Sequence, residues 1–172
     1  MTAECVVVSL GSNLGDARAH LGAAVQGLQA LQDRLGLKLS AVSPLYRTQP
    51  WQAQGPDFLN AVAVLQGPGD AQAPQRLLRA LQALEAQQGR RRPYHHAPRT
   101  LDLDLILYGQ REMDTEDLVL PHPRALLRAF VLQPIRDVLP GLQWPGLGTG
   151  WTCLLQAMSD PPPEQLQDPS WP

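Results

Sequence analysis

The spacing of hydrophobic positions changes several times along the chain, and each change predicts an element. Cys5 to Leu10 is a short apolar, β-branched run that stops at Gly11-Ser12-Asn13-Leu14-Gly15-Asp16, the pattern of a buried strand ending in a turn. From Asp16 the apolar residues Leu21, Ala24, Val25, Leu28, Leu31 and Leu35 recur at three- and four-residue steps. That spacing predicts one helix with Asp16 as N-cap and Gly36 just past its end. Leu37 to Tyr46 alternates loosely and Phe58 to Leu65 is a second strand-like run. The segment Arg47 to Asp57 between them is long for a hairpin connection, and long loops on rigid strands tend to bind ligands. After Gly67-Pro68-Gly69, the residues Leu77, Leu81, Leu84 and Gln88 space a second helix, with Pro74 near its start and Gly89 beyond its end. Residues 90–99 form a polar, basic loop, Leu101 to Tyr108 a strand, and Arg124 to Val138 a further helix.

The order strand, helix, strand, strand, helix, strand is the split βαβ pattern. The predicted fold class is therefore α/β (α+β): a ferredoxin-like antiparallel sheet with flanking helices, a three-layer sandwich. Residues 1–159 read as a single domain, and 160–172 as a mobile, dispensable tail. Its prolines 161, 162, 163, 169 and 172 argue against both helix and sheet pairing.

Composition narrows the function. The chain has 172 residues, 44% of them hydrophobic, enough for one buried core. A net charge of −2 is too balanced for a protein that holds nucleic acid by its overall field, so phosphate binding must be local. The two cysteines, Cys5 and Cys153, make no disulfide framework and no zinc spacing, which fits a reducing compartment. No basic n-region precedes the first apolar run, and that run breaks at Gly11, so the expectation is a cytoplasmic protein without a membrane span.

The strongest chemical signal is Thr100-Leu101-Asp102-Leu103-Asp104-Leu105-Ile106-Leu107-Tyr108. Strand alternation turns Leu101, Leu103, Leu105 and Leu107 one way and Asp102 and Asp104 the other, about 6.5–7 Å apart at their Cα atoms. Two carboxylates on one face repel unless a cation lies between them, and Mg²⁺ binds through one or two carboxylates plus substrate phosphates. An exposed edge strand protected by acidic residues is the competing reading. Just upstream, Arg90, Arg91, Arg92 and Arg99 place four of the fourteen Lys and Arg within ten positions. Such a loop suits closing over a polyphosphate, and equally a solvated surface or an RNA contact. His95 and His96 are adjacent, so their side chains diverge, and no third ligand joins them at zinc spacing. No Walker-type loop occurs. Gly11 to Gly15 reads as a tight turn or a phosphate approach, and Gly146-Leu147-Gly148-Thr149-Gly150 lacks the preceding strand of a dinucleotide fingerprint.

Several blocks together resemble one family: Gly11-Ser12-Asn13-Leu14-Gly15, Ser43-Pro44-Leu45-Tyr46-Arg47-Thr48, Asp57-Phe58-Leu59-Asn60-Ala61, Glu85-x-Gln87-Gln88-Gly89-Arg90, Pro98-Arg99-Thr100-Leu101-Asp102-Leu103-Asp104, Leu120-Pro121-His122-Pro123 and Arg128-Ala129-Phe130. Their order and approximate spacing are similar to those of the 6-hydroxymethyl-7,8-dihydropterin pyrophosphokinases of folate biosynthesis. The resemblance implies transfer of diphosphate from ATP to the pterin hydroxymethyl group with release of AMP. It implies that Asp102 and Asp104 hold two Mg²⁺ ions and that Arg90, Arg92 and Arg99 are catalytic, neutralising charge on the transferred group. It implies ATP binding by Gln82, Glu85, Arg92, Arg99, His122 and Arg128. Phe58 and Phe130 match positions that sandwich the pterin ring, Asn60 the one that reads its edge, and Thr48, Gln49 and Trp51 the lining of the same pocket. A monomer with small-molecule partners only is expected.

The chain departs from the family pattern at Pro93, at Tyr94 and His96 near the loop end, at Gln49 and Trp51, at Phe58, which lacks a phenol, and at Pro123. A different two-metal nucleotidyl or phosphoryl transferase would keep Asp102 and Asp104 but not need Phe58, Asn60 and Phe130. An RNA-binding ferredoxin-like module would use Arg90 to Arg99, against which stand the net charge and the lack of an aromatic RNP signature.

Overall fold

A computed structural model describes residues 3–50, 55–89, 100–158 and 161–172. The first apolar run becomes β1, Glu4–Ser12, which is longer than its hydrophobic pattern because it is held on both sides. It pairs antiparallel with β4, Phe58–Gly67, and with β5, Asp102–Tyr108. Gly11, read from sequence as the start of a turn, is thereby a strand residue, opposite Asn60 on one neighbour and Asp102 on the other. Two ladders outweigh the poor strand propensity of one glycine.

The predicted strand over 37–46 is two strands, β2 (Lys38–Val42) and β3 (Tyr46–Thr48), both antiparallel to β4. The break falls at Ser43-Pro44, where proline has no N–H to donate. In spatial order β5, β1, β4, β2 make the ferredoxin-like core of the sheet, and β3 continues the path beyond β4.

One face of the sheet is covered by α1 (Ala17–Gln29), the short α2 (Leu31–Leu35) and α3 (Ala73–Gln87). The single helix expected from Asp16 to Leu35 is interrupted at Ala30, although its ends are as predicted. Asp16 accepts from the Ala19 amide at 2.9 Å, and Gly36 closes α2 in the left-handed region at φ 68°. Leu21, Val25, Leu28, Leu77 and Leu81 pack there on Val6, Val8 and Leu10 of β1 and Ala61, Ala63 and Leu65 of β4. The opposite face carries a second cluster, in which Val131, Leu132 and Ile135 of α4 (Ala129–Val138) meet Val7, Val62, Val64 and Ile106. Trp144 and Trp151 close this cluster with ring centroids 6.1 Å apart, and α5 (Thr152–Ala157) follows. Helices, sheet and helices make the three-layer sandwich.

Two local expectations change. The leucine alternation of β5 holds for Leu103 and Leu105 but not for Leu107, which joins the α4-side cluster. The ladder with β1 skips from Leu105 to Leu107, and this bulge at Ile106 resets the alternation. A two-stranded ribbon of β6 (Met113–Asp114) and β7 (Val119–Leu120) was not predicted, being too short for a periodic signal.

The C-terminal segment requires a correction. Glu164–Gln165 form β8, which pairs antiparallel with Tyr46 and Arg47 on the outer edge of β3. The prolines lie before and after this stretch, so the donors it needs remain, and an edge strand must supply only one side. Leu166 N–H donates to Leu45 O at 2.8 Å, the Trp171 indole donates to Ser43 O at 2.7 Å, and Arg18 donates to Asp168 at 2.5 Å. Leu166 and Trp171 also pack against the first core cluster.

This attachment predicts a response to acid. The hydrogen bond from Arg18, with a second from Ser170, holds the Asp168 carboxyl down at about 2 against an ordinary value of 3.8. A carboxyl depressed on folding stabilises the folded form above its ordinary value and loses that contribution as pH falls through the folded one. Between about pH 4 and about pH 2 the Trp171 indole N–H should lose protection from exchange. In Asp168→Asn that acid step should vanish; its survival in the variant would assign it to another group.

Candidate active site

Strand pairing brings five of the predicted site residues, Asp102, Asp104, Asn60, Phe58 and Thr48, to the α4 side of the sheet at one end. Asp102 and Asp104 of β5 stand beside Gly11 and Ser9 of β1, and Asn60 of β4 lies on the other side of Gly11. Tyr46 is opposite Asn60, and Thr48 opposite Phe58. One row across four strands therefore reads Asp102, Gly11, Asn60, Tyr46. Glycine leaves a gap in that row, and a Cβ there would lie 3.4 Å from Asn60 Oδ1. Its value as a spacer between a carboxylate and an amide had no separate sequence signal, since the spacing arises only when three strands align.

Asn60 is buried and donates from Nδ2 to Thr48 Oγ1 at 2.9 Å, which ties β4 to β3. Phe58 is half-buried and belongs to neither core cluster, while Phe130, in the first turn of α4, lies at the margin of the second. Both therefore keep exposed ring surface, which a fully buried core phenylalanine would not. Gln49 is exposed at the end of β3.

Around Asp104 the structure gathers two cationic or ionisable partners. The bulge at Ile106 frees its carbonyl for the His122 amide, at 2.9 Å, which brings the imidazole Nε2 to 4.0 Å from Asp104 Oδ2. Burial pushes the His122 imidazole below its ordinary range; Asp104 opposes the shift and Arg128 reinforces it. Arg128 sits where the predicted helix over 124–138 breaks into a 3₁₀ turn, Ala125–Leu127, and α4. Its backbone is extended there, at φ −124° and ψ 105°. The break places Nη1 3.5 Å from Asp104 and the guanidinium carbon 5.6 Å from the Phe130 ring centroid. The arginine thus bridges the carboxylate pair and the aromatic side.

Gln82 and Glu85 are placed differently. Both lie on α3, which packs against the other face of the sheet. Gln82 is exposed, whereas Glu85 is 2% exposed and accepts the Leu103 amide at 2.8 Å. Leu103 is the residue between the two aspartates, so the buried carboxylate fixes the edge strand that presents them. This backbone role was absent from the sequence reading. Arg90, Arg92, Arg99 and Trp51 lie outside the described residues.

The glycine segments resolve into structure. Gly11 to Gly15 runs from the end of β1 into the turn before α1, whose start Asp16 caps. Gly146 and Gly148, at φ 73° and 57°, serve a tight turn closed by Trp144 and Gly148. An open groove of about 410 Å³ lined by Cys5, Gly109, Gln110 and residues 138–143 lies at the far end of β1 and holds no charged side chain.

The donor set suits a hard cation. Among the described residues no cluster of three or more metal-ligating side chains occurs, and the two aspartates supply oxygens only. That is the arrangement Mg²⁺ uses when substrate phosphates and water complete its shell.

Residues 7–140 match the family described as 7,8-dihydro-6-hydroxymethylpterin-pyrophosphokinase. The chain belongs to that family. Among its relatives, a Pseudomonas aeruginosa protein named 2-amino-4-hydroxy-6-hydroxymethyldihydropteridine pyrophosphokinase is 44% identical over 141 residues, 81% of this chain and 83% of its own length. One of the same name from Porphyromonas gingivalis is 40% identical over 144 residues, 80% of this chain and 92% of its own. The crystal structure of Plasmodium falciparum HPPK-DHPS is similar in fold, with a TM-score of 0.67 at 13% identity. The match covers 90% of this chain and 44% of that one, so the chain spans under half of that longer protein. The fold class and activity class expected from the sequence, an ATP-dependent pyrophosphokinase of folate biosynthesis, both hold. No helix among the described residues is long and apolar enough to cross a membrane.

Glu85→Ala would leave the buried Leu103 amide without this acceptor. The unfolding free energy should fall by about 1–3 kcal/mol with no nucleotide present. Urea unfolding checks this; unchanged stability together with lost ATP affinity would return Glu85 to a ligand-contact role.

Proposed function

We propose that this chain transfers the diphosphate unit of ATP to the hydroxymethyl oxygen of 6-hydroxymethyl-7,8-dihydropterin. The hydroxyl oxygen attacks the β-phosphorus, and the bond from that phosphorus to the α,β-bridging oxygen breaks. AMP departs with that oxygen, and the hydroxyl proton passes to solvent. The observation that carries the reading is the row in which Asp102 and Asn60 flank Gly11, joining a phosphate-side group and a ring-reading group across a spacer without a side chain.

Asp102 and Asp104 would hold Mg²⁺, two ions in this reading, which when bound would supply neutralisation of charge on the triphosphate. Arg128 holds Asp104 in place and lies against Phe130, so it orients the metal side relative to the ring side. His122, neutral near pH 7 because burial disfavours its charge, can accept or donate a hydrogen bond to nucleotide without adding repulsion toward Arg128. Phe58 and Phe130 offer faces for stacking a flat bicyclic ring, and Asn60 with Thr48 offers amide and hydroxyl groups to its edge. Gln49 and Trp51 complete the pterin side and Gln82 the nucleotide side, which Glu85 serves through the Leu103 amide between the two aspartates. Arg90, Arg92 and Arg99 would neutralise charge on the transferring group. Such catalysis rests on positioning and charge stabilisation rather than on a covalent intermediate. The reading includes a monomer acting in the cytoplasm on small molecules, in keeping with the near-neutral charge and the lack of a disulfide framework.

The test is AMP release with Mg²⁺ and ATP, with and without the pterin. Pterin-dependent AMP without ADP is expected; ADP alone would favour a different phosphoryl transferase. Asp102→Ala and Asp104→Ala should each lower turnover by about 10²-fold or more while leaving thermal unfolding in place, since removing a repelling carboxylate does not cost the strand its pairing. Full activity in either variant would remove the metal assignment.

A further inference from the structure

The C-terminal segment takes no part in the chemistry above, yet it is bound where that chemistry needs rigidity. β3 is 3 residues long and carries Thr48, the acceptor for Asn60. One edge of β3 pairs with β4, and the other pairs with β8. So short a strand is marginal with a single neighbour and much better ordered between two.

The attachment continues past the strand. The carbonyls of Ser43 and Leu45, on either side of Pro44, both receive donors from this segment: the Trp171 indole at 2.7 Å and the Leu166 amide at 2.8 Å. Ser43 in turn accepts the Val62 amide on its hydroxyl at 2.9 Å, so the step between β2 and β3 is pinned from both sides. Farther along, Arg18 of α1 donates to Asp168 at 2.5 Å and to Ser170 at 2.6 Å, with its guanidinium carbon 6.0 Å from the Trp171 ring centroid. A clasp of this kind joins the start of α1 to the edge strand that leads into the 49–57 connection.

We propose that residues 164–171 are a positioning strap for the pterin half of the site, acting through β3 on Thr48 and Asn60, with the Leu166 amide and the Trp171 indole as its clasps. The inference rests on the function proposed above. Its selectivity follows from the sheet: β4 and β1 separate β3 from β5, so Asp102 and Asp104 lie about 14 Å from the strapped edge, at three strand spacings. Loosening β3 frees the Thr48 hydroxyl and the Asn60 amide to rotate, while the β1–β5 ladder under the aspartates keeps its pairing.

The experiment uses the full chain carrying Leu166→Pro and Trp171→Ala, with hydrogen exchange over residues 164–171 reporting release of the strap. Two affinities are measured: that of a non-hydrolysable ATP analogue with Mg²⁺, and that of 6-hydroxymethyl-7,8-dihydropterin in the presence of that analogue at saturation. The pterin Kd should rise about fivefold or more while the analogue Kd stays within about twofold. A strap serving only global stability would weaken both equally, and that result, or a pterin Kd within about twofold once the strap amides exchange freely, would overturn the proposal. If the double variant does not fold, Trp171→Phe, which keeps the ring packing but loses the N–H donor, carries the same decision through the same ratio. Failure of the functional reading is seen separately, because the unaltered chain would then bind no pterin.

Discussion

Asp102, Asp104 and Asn60, the described centre of the proposed site, are placed by the double pairing of β1, held antiparallel between β4 and β5. A strand with neighbours on both sides cannot slip on one without breaking the other, and a one-residue slip would turn every side chain to the opposite face. The two ladders set Asp102 and Asn60 on either side of Gly11 and aim them at the same layer. Three further described groups meet this row: Thr48 through Asn60, and Arg128 and His122 through Asp104.

The charges are arranged around the same row. Two carboxylates on one face of an edge strand oppose each other, and the structure surrounds them with groups that make the arrangement tolerable without neutralising it. Arg128 approaches Asp104 from the break before α4, and His122 approaches from the segment that follows the β6–β7 ribbon. From the opposite face the buried Glu85 holds the Leu103 amide, so the presenting strand is fixed by its backbone and the aspartate side chains remain on the α4 side. A nucleotide with its metal would meet a rigid acidic edge flanked by a guanidinium that also faces an aromatic ring.

The proposed pterin side is built from weaker parts. β3 is short, and the break at Pro44 isolates it from β2. Order there comes from partners distant in sequence: Tyr46 donates to Asp137 of α4, and the C-terminal residues clasp Ser43 and Leu45. The same strand thus depends on contacts to both helical layers and to the chain end. Loops that bind ligands commonly sit on such conditionally ordered elements, because the free energy needed to open them is low.

Much of this was legible one residue at a time. Period-two and period-3.6 patterns identified β1, β4, β5 and the three main helices, Asp16 and Gly36 marked helix ends, and alternation put Asp102 and Asp104 on one face. Those features depend on neighbours within a few positions, which a linear pattern records. The resemblance in motif order carried the family and the activity class. What the tertiary structure alone decided depends on pairs far apart in the chain. Gly11 became a strand residue because two ladders held it, Leu107 changed face because of a bulge against β1, and Arg128 met Asp104 because a helix broke. Glu85 found a backbone amide of β5, and a proline-flanked tail found an open strand edge. Local propensity disfavoured or could not register each of these, and partners more than ten residues away supplied the hydrogen bonds and packing that outweighed it.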